Sequence, residues 1–380
     1  MRDERLHKMS VRLQNEIWEW RFPMAGTKSR FVAVCMACLL SFSASSWGQT
    51  PRYQRNITAT ANWTTSGASS LPDGAILYTS TEIVPYYSNL AALGLTKTPA
   101  HYPQVKAWME WYINHLNNPD KWGLYCTVYD YNVSGTTETP TNDADSTDSY
   151  AATFVSLAWA YWQTRNADAQ AYIRTLRDQL DCIGRVMVQT QQRNGLTWAK
   201  PDYQIQYLMD NCEVYKGLSD LAKLFQYAFN DSSGAAYYNS YAANALSGIQ
   251  TVLWDCAHND YFAYAGAPTS NWKTWYPDST AQLFPVLSGV LAPSSSRAKQ
   301  LYNRFNSKWP NWTSLKFPDS FPWALVSDAA ALMSDSTRVN NYIISIQNKY
   351  VNKNFPWPWY CAESGWFIRV NKYMLGKKPL

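Results

Sequence analysis

Apolar residues along this chain recur mostly at three- and four-residue spacing, the period of helices with one buried face. Such runs cover about Glu82–Leu93, Tyr102–Leu116, Thr147–Thr164, Asp168–Gln191, Tyr207–Phe229, Ala235–Trp254, Ser279–Leu291, Ser295–Lys308, Phe321–Met333, Thr337–Val351 and Glu363–Leu375. Strand-like stretches are short, such as Gly123–Tyr131 and Tyr261–Ala265. Residues 49–72, rich in Thr, Ser and Asn, read as an irregular N-terminal arm. The pattern predicts an all-α protein with short β-strands in its loops.

The order of the runs adds an architecture. They pair as helical hairpins, and alternate helices open alike: an aromatic loop, one or two carboxylates, then an apolar helix. The openings are Tyr78–Glu82, Asp143–Asp148, Tyr207–Glu213, Trp275–Asp278, Phe317–Asp319 and Trp357–Glu363. Six such starts predict six hairpins closed into an (α/α)6 toroid, with short β-strands in the loops at the cleft end. All six inner-helix N-termini then meet at one cleft. Capping offers a competing explanation, because Asp, Ser and Thr are favoured at helix starts. Capping explains the carboxylates but not the Trp and Tyr before them.

Composition sharpens this picture. Residues 1–48 read as an N-terminal extension and secretory signal peptide: Lys28 and Arg30 precede the apolar run Phe31–Leu40, which small residues follow. That run is too short for a permanent membrane span. Residues 73–380 are expected to form one catalytic domain, secreted or periplasmic and monomeric. The formal charge is +5, but the first 48 residues carry seven basic against four acidic residues, so the remainder is nearly balanced. No basic run follows a phosphate backbone, which excludes nucleic acid as a partner. The cysteines show no framework spacing; one or two bridges fit, and most read as buried small hydrophobes. Aromatic residues make up 16 % of the chain, as many as the charged residues, and suit surfaces that stack on sugar rings. Three histidines after residue 48, without HExxH or paired spacing, argue against a metal hydrolase; no metal and no cofactor are expected.

The richest of the six starts is Thr141–Phe154, with Asp143, Asp145 and Asp148 ahead of an apolar helix. Cleaving a glycosidic bond takes two carboxyl groups in different protonation states. Acidic helix starts among aromatic residues can supply both, since a helix N-terminus favours the ionised form and burial the protonated one. Asp210 and Glu213 form a second i,i+3 pair.

The arrangement resembles the six-hairpin (α/α)6-barrel glycosidases, with partial similarity to the family-8 glycoside hydrolases. Glu82-Ile-Val-Pro-Tyr86 is similar to that family's acid-bearing first inner helix, without its intervening glycines. Ala144-Asp-Ser-Thr-Asp148, with Ala152, Ala158 and Trp162, is similar to its A-[S/T]-D-[A/G]-D helix start, with Ser146 in place of the first Asp. The resemblance implies Glu82 as general acid and Asp148 or Asp145 as the residue holding the sugar. Helix spacing favours Asp148; the paired carboxylate favours Asp145.

The sequence therefore points to a glycoside hydrolase acting on a polysaccharide or oligosaccharide by carboxylate acid/base chemistry. Catalytic candidates are Glu82, Asp145, Asp148, Asp210 and Glu213. Substrate-binding candidates are Tyr86, Asp143, Trp198, Tyr207, Trp275, Asp278, Asp319, Trp359, Glu363 and Trp366. Two rivals remain at this stage. A polysaccharide lyase on the same toroid is disfavoured because acidic helix starts repel an anionic sugar. A non-catalytic carbohydrate-binding protein is kept open by Ser146.

Overall fold

The computed structural model describes residues 50–376; the expected signal segment lies outside them. Its inner helices are α2 (Pro85–Leu95), α4 (Thr147–Trp162), α7 (Leu208–Tyr227), α9 (Phe284–Leu287), α11 (Ala324–Leu332) and α13 (Cys361–Met374). They form a ring: α2 packs on α4, α4 on α7, α7 on α9, α9 on α11, α11 on α13, and α13 back on α2. The ring confirms the expected all-α toroid.

Small residues let the ring close. A Cβ added at Gly365 of α13 would lie 2.0 Å from the Leu90 carbonyl oxygen of α2, and one at Gly94 would lie 2.4 Å from the Gly365 Cα. The Gly217 position of α7 likewise faces the Cα of Ala152 of α4, at 2.7 Å from a built Cβ. Backbones this close leave no room for side chains. The inner helices are accordingly buried nearly all round, as in α4, where Ala151, Ala152, Val155, Leu157 and Ala158 all lie inside.

The outer layer comprises α3 (Tyr102–Asn114), α5 (Ala167–Thr175), α6 (Arg177–Thr190), α8 (Ser232–Thr251), α10 (Ser296–Lys308) and α12 (Ser336–Lys349). These helices bury one stripe each, such as Leu180, Ile183, Val186 and Met187 of α6. Among the described helices, the four with a side-chain N-cap bond are α5, α8, α10 and α12, capped by Asn166, Asp231, Ser295 and Asp335. All four are outer. The acidic first-turn residues of α4, α7 and α13 (Asp148, Asp210 and Glu363) are not the N-caps of their own helices, and α2, α9 and α11 carry no acidic residue in the first turn. Among the described residues, no helix is long and apolar enough to cross a membrane.

Several expectations need correction. Residues 50–64 form a helix, α1, instead of an irregular arm. Its buried positions Tyr53, Asn56, Ile57, Thr60, Ala61 and Thr64 keep helical spacing, but half are polar, which hid the period. Asn56 there bonds Asn371 of α13 at 3.2 Å. The first inner helix begins at Pro85, not Glu82. Proline holds its predecessor Val84 extended (φ −115°, ψ 102°), and Glu82–Ile83 instead form strand β1. The run Asp168–Gln191 breaks at Leu176 into α5 and α6. Its buried stripe, Ala169, Ile173, Leu176, Leu180, Ile183, Met187 and Thr190, crosses the break in phase, so periodicity cannot reveal it. The expected helix Ser279–Leu291 shrinks to α9, because Pro285 cannot donate to the Ala281 carbonyl and would clash with it. Strands β2 (Tyr131–Ser134) and β3 (Thr137–Pro140) form a hairpin, and β2 also pairs with β1. The strand expected at Gly123–Tyr131 thus starts only at its last residue. One disulfide, Cys126–Cys182, ties the preceding loop to α6. Cys212 and Cys361 are buried thiols and Cys256 is exposed.

Candidate active site

All six inner-helix N-terminal ends meet at one cavity of about 420 Å³. Its lining includes Tyr86 and Tyr87 of α2, Ser146 and Ser149 at the start of α4, Asp210 of α7, Phe284 of α9, Trp323 and Leu325 at the start of α11, and Ala362 of α13. Aromatic rings dominate the wall. Tyr360 packs edge-on against Tyr87 (5.0 Å) and Tyr78 (5.3 Å). Trp366, Leu90 and Phe284 also border a space of only about 40 Å³ deeper along the ring, room for about one water. The cavity is therefore shut toward the core. Four carboxyl groups line it: Asp130, Asp145, Asp210 and Asp319.

Their surroundings differ. Asp319 accepts bonds at both oxygens, from the Phe321 N–H (2.9 Å) and the Trp323 indole (2.8 Å). It fixes Trp323, whose backbone is left-handed (φ 56°, ψ 51°) and costly for a bulky residue. Asp130 accepts from the Tyr150 hydroxyl (2.8 Å); burial pushes its carboxyl up to about 7. Asp145 is exposed to solvent. Asp210 sits in the first turn of α7, and burial, then the negative charges of Asp148 and Asp145, push its carboxyl well above the ordinary range.

Hydrogen bonds couple Asp210 to Asp148 through Ser146. The Ser146 hydroxyl lies 2.5 Å from Asp148 Oδ1 and 3.1 Å from Asp210 Oδ2. A hydroxyl has one hydrogen and cannot donate to both. A proton on either Asp210 or Asp148 resolves this, and burial disfavours the ionised form of both. Asp148 is fully buried behind Ser146 and also accepts from Thr197 Oγ1 and the Ser149 N–H (2.8 Å).

One turn below Asp210, Glu213 accepts from the Tyr86 hydroxyl at 2.7 Å. Burial, with the charges of Asp210 and Asp148, holds its carboxyl well above the usual range. Tyr86 thus links the cavity wall to a second buried carboxyl whose ionised form is disfavoured.

Of the residues singled out in the sequence, Asp145, Asp210, Tyr86, Asp319 and Trp366 line the cavity. Glu213 sits beneath it, and Tyr207 lines an adjoining groove. The others lie elsewhere. Glu82 is exposed on β1, held by Thr79 (3.1 Å), and does not line the cavity, a correction to its expected role as acid. Asp143 is exposed and ion-paired with Lys200 (2.9 Å) and Lys121 (3.2 Å). Glu363 is buried and accepts from the Trp323 (3.0 Å) and Ala324 (2.6 Å) N–H groups, capping α11 from the neighbouring helix. Asp278 accepts from the Asn271 N–H (3.0 Å). Trp275 stacks on Phe317 in the core (4.2 Å), Trp359 is buried with its indole on Ser364, and Trp198 is half-buried outside the cavity.

Sequence reasoning missed Asp130, which lies in a loop with no helix start to mark it. It also missed Tyr276, Trp323 and Tyr360. Tyr276 and Tyr360 directly follow Trp275 and Trp359, and in each pair the tryptophan turns to the core and the tyrosine to the cavity. Neighbouring aromatic residues in an extended segment point to opposite sides, the one signal that was available.

No family model matches the chain, and no curated protein matches its sequence. Solved structures do match. A glycosidase in complex with glucose superposes with a TM-score of 0.64 at 10 % identity, over 86 % of this chain and 98 % of that chain. The GH63 mannosylglycerate hydrolase from Thermus thermophilus, in complex with glucose, gives 0.58 at 12 %, over 85 % and 100 %. A rhamnosidase from Klebsiella oxytoca with rhamnose bound gives 0.54 at 14 %, over 78 % and 55 %. The chain has the fold of these glycosidases. At such identities the likeness carries the fold and its ring of inner-helix starts, and it assigns no residue of this cavity a role.

Proposed function

We propose that the protein is an exported glycoside hydrolase in which Asp210 is the general acid and Asp145 its partner carboxylate. The observation that carries this reading is the contrast between two carboxyl groups on one cavity: burial and the neighbouring Asp148 disfavour the ionised form of Asp210, and Asp145 is open to water. Two carboxyls in unlike surroundings, one buried and one solvated, suit acid/base cleavage of a glycosidic bond. Asp210 gives its proton to the leaving oxygen as the bond from the anomeric carbon breaks. A water molecule adds to that carbon and passes a proton to Asp145. Asp130 and Asp319 are less suited to this second role, one being pushed toward its protonated form and the other bonded at both oxygens.

Fold likeness to glycosidases supports the reaction class, and the aromatic wall suits a sugar ring. The cavity lining has carboxyl groups and, among the described residues, no Lys, Arg or His to receive a uronate, which disfavours a lyase. Export is supported by the expected signal segment and by the Cys126–Cys182 bridge, since disulfides persist in oxidising compartments. The test is incubation with neutral α- and β-linked gluco- and manno-oligosaccharides. Release of reducing ends by the wild type, lost in Asp210→Asn and Asp145→Asn, is the expected result; binding without turnover in the wild type contradicts it.

A further inference from the structure

A second space adjoins the cavity: an open groove of about 680 Å³, lined by Lys200, Asp202, Tyr203 and Tyr207 on its own side. Asp145, Ser146, Met209, Asp210 and Tyr276 line both spaces. The proposed catalytic pair therefore stands at the waist between a deeper chamber and a shallower groove. Asp130 and Asp319 line only the deeper chamber. A bond cut at the waist has one sugar in the chamber and its leaving group in the groove.

The groove is shaped for more than a small alcohol. Tyr203 and Tyr276 are 45 % and 55 % exposed and both line the groove. Tyr203 is held in place by a 2.8 Å bond between its hydroxyl and that of Tyr207, and Tyr207 packs edge-on against Tyr264 (6.2 Å). Held rings open to solvent are platforms for the apolar face of a sugar. The one lysine lining the groove is already used: Lys200 Nζ bonds Asp143 (2.9 Å) and the Ala144 carbonyl (2.8 Å). That leaves it ill-placed to receive an anionic group.

Resting on the hydrolase reading above, we propose that this groove is the leaving-group site and takes a neutral sugar chain, with Tyr203 and Tyr276 as its stacking platforms. The substrate class is then an oligosaccharide or polysaccharide cut near a chain end, rather than a sugar joined to a small polyol.

The experiment compares kcat/KM for methyl glucosides and mannosides with that for the matching di- to pentasaccharides, in both anomeric series. For the series that is cleaved, wild-type efficiency is expected to rise roughly tenfold or more from the methyl glycoside to the trisaccharide. In Tyr203→Ala the ratio of the two efficiencies falls toward one, and Tyr203→Trp, which keeps a platform, retains it. Cleavage with a flat wild-type ratio overturns the groove assignment alone. An unchanged ratio in Tyr203→Ala overturns the platform. Cleavage of no member contradicts the hydrolase reading and overturns the groove with it.

Discussion

Ser146 Oγ and Asp210 Oδ2 lie 3.1 Å apart, and Ser146 is at the same time 2.5 Å from Asp148. One hydroxyl thus joins a fully buried carboxylate to the carboxyl group at the waist of the cavity. The charge of Asp148 is, after burial, the next largest influence raising Asp210. The buried residue acts on the exposed chemistry without touching the cavity.

A pH prediction follows from that link. If Asp210 must be protonated to act, activity declines as pH rises through its raised ionisation. Asp148→Asn removes a negative charge beside Asp210, so the basic limb of the kcat/KM profile moves to lower pH. The amide can still accept from Ser149 and donate toward Thr197, which preserves the packing. A limb that stays in place contradicts the coupling.

Glu363 gives the protein a pH-dependent stability. Its carboxyl ionises near 4.5 when unconstrained, and burial pushes it up to about 7 in the fold. Between these values the folded chain keeps a proton that the unfolded chain has released. Stability from this group is therefore fullest below about pH 4.5 and is lost as pH rises toward 7, by about 3 kcal/mol at most. Urea denaturation at pH 5 and pH 7.5 reads the difference, and Glu363→Gln flattens it.

Ring closure depends on the contact between Gly365 and Leu90. Gly365→Ala places a methyl 2.0 Å from a backbone oxygen that cannot turn away. The expected cost is about 2–3 kcal/mol, read from the denaturation midpoint. Gly67→Ala, where a Cβ meets nothing within 4 Å, serves as the control and should stay within about 0.5 kcal/mol of wild type.

The Cys126–Cys182 bridge spans 56 residues, and removing it frees a loop of that length in the unfolded chain. Cys126→Ser with Cys182→Ser is expected to lower stability by about 4 kcal/mol on the chain-entropy account. Reduction of the wild type should give a comparable fall in the thermal midpoint.

The sequence carried the ring well, because inner helices buried nearly all round leave a repeating mark, but of these only α4, α7 and α13 open with an acidic first turn. It carried local exceptions poorly. Pro85 and Pro285 moved helix starts by several residues, and those shifts removed Glu82 from the helix on which its expected role depended. Polar residues at helical spacing, Asn56, Thr60 and Thr64, concealed α1. At the site, Asp145 and Asp210 were legible as acidic helix starts, while Asp130, in a loop, was not. The choice between Asp145 and Asp148 was left open, since helix spacing favoured Asp148 and the paired carboxylate favoured Asp145. Burial separates them: Asp148 faces inward to Thr197 and Asp145 faces the cavity.

The central claim is that Asp210 donates the proton that releases the leaving group. The direct test is the rate of reducing-end release from the cleaved oligosaccharide by wild type and by Asp210→Asn, alongside binding of the same sugar. Asparagine keeps a donor toward Ser146 and should preserve the fold and the binding. The account predicts a loss of about 10²–10⁴ in kcat with sugar binding retained. A variant that turns over at the wild-type rate would contradict it.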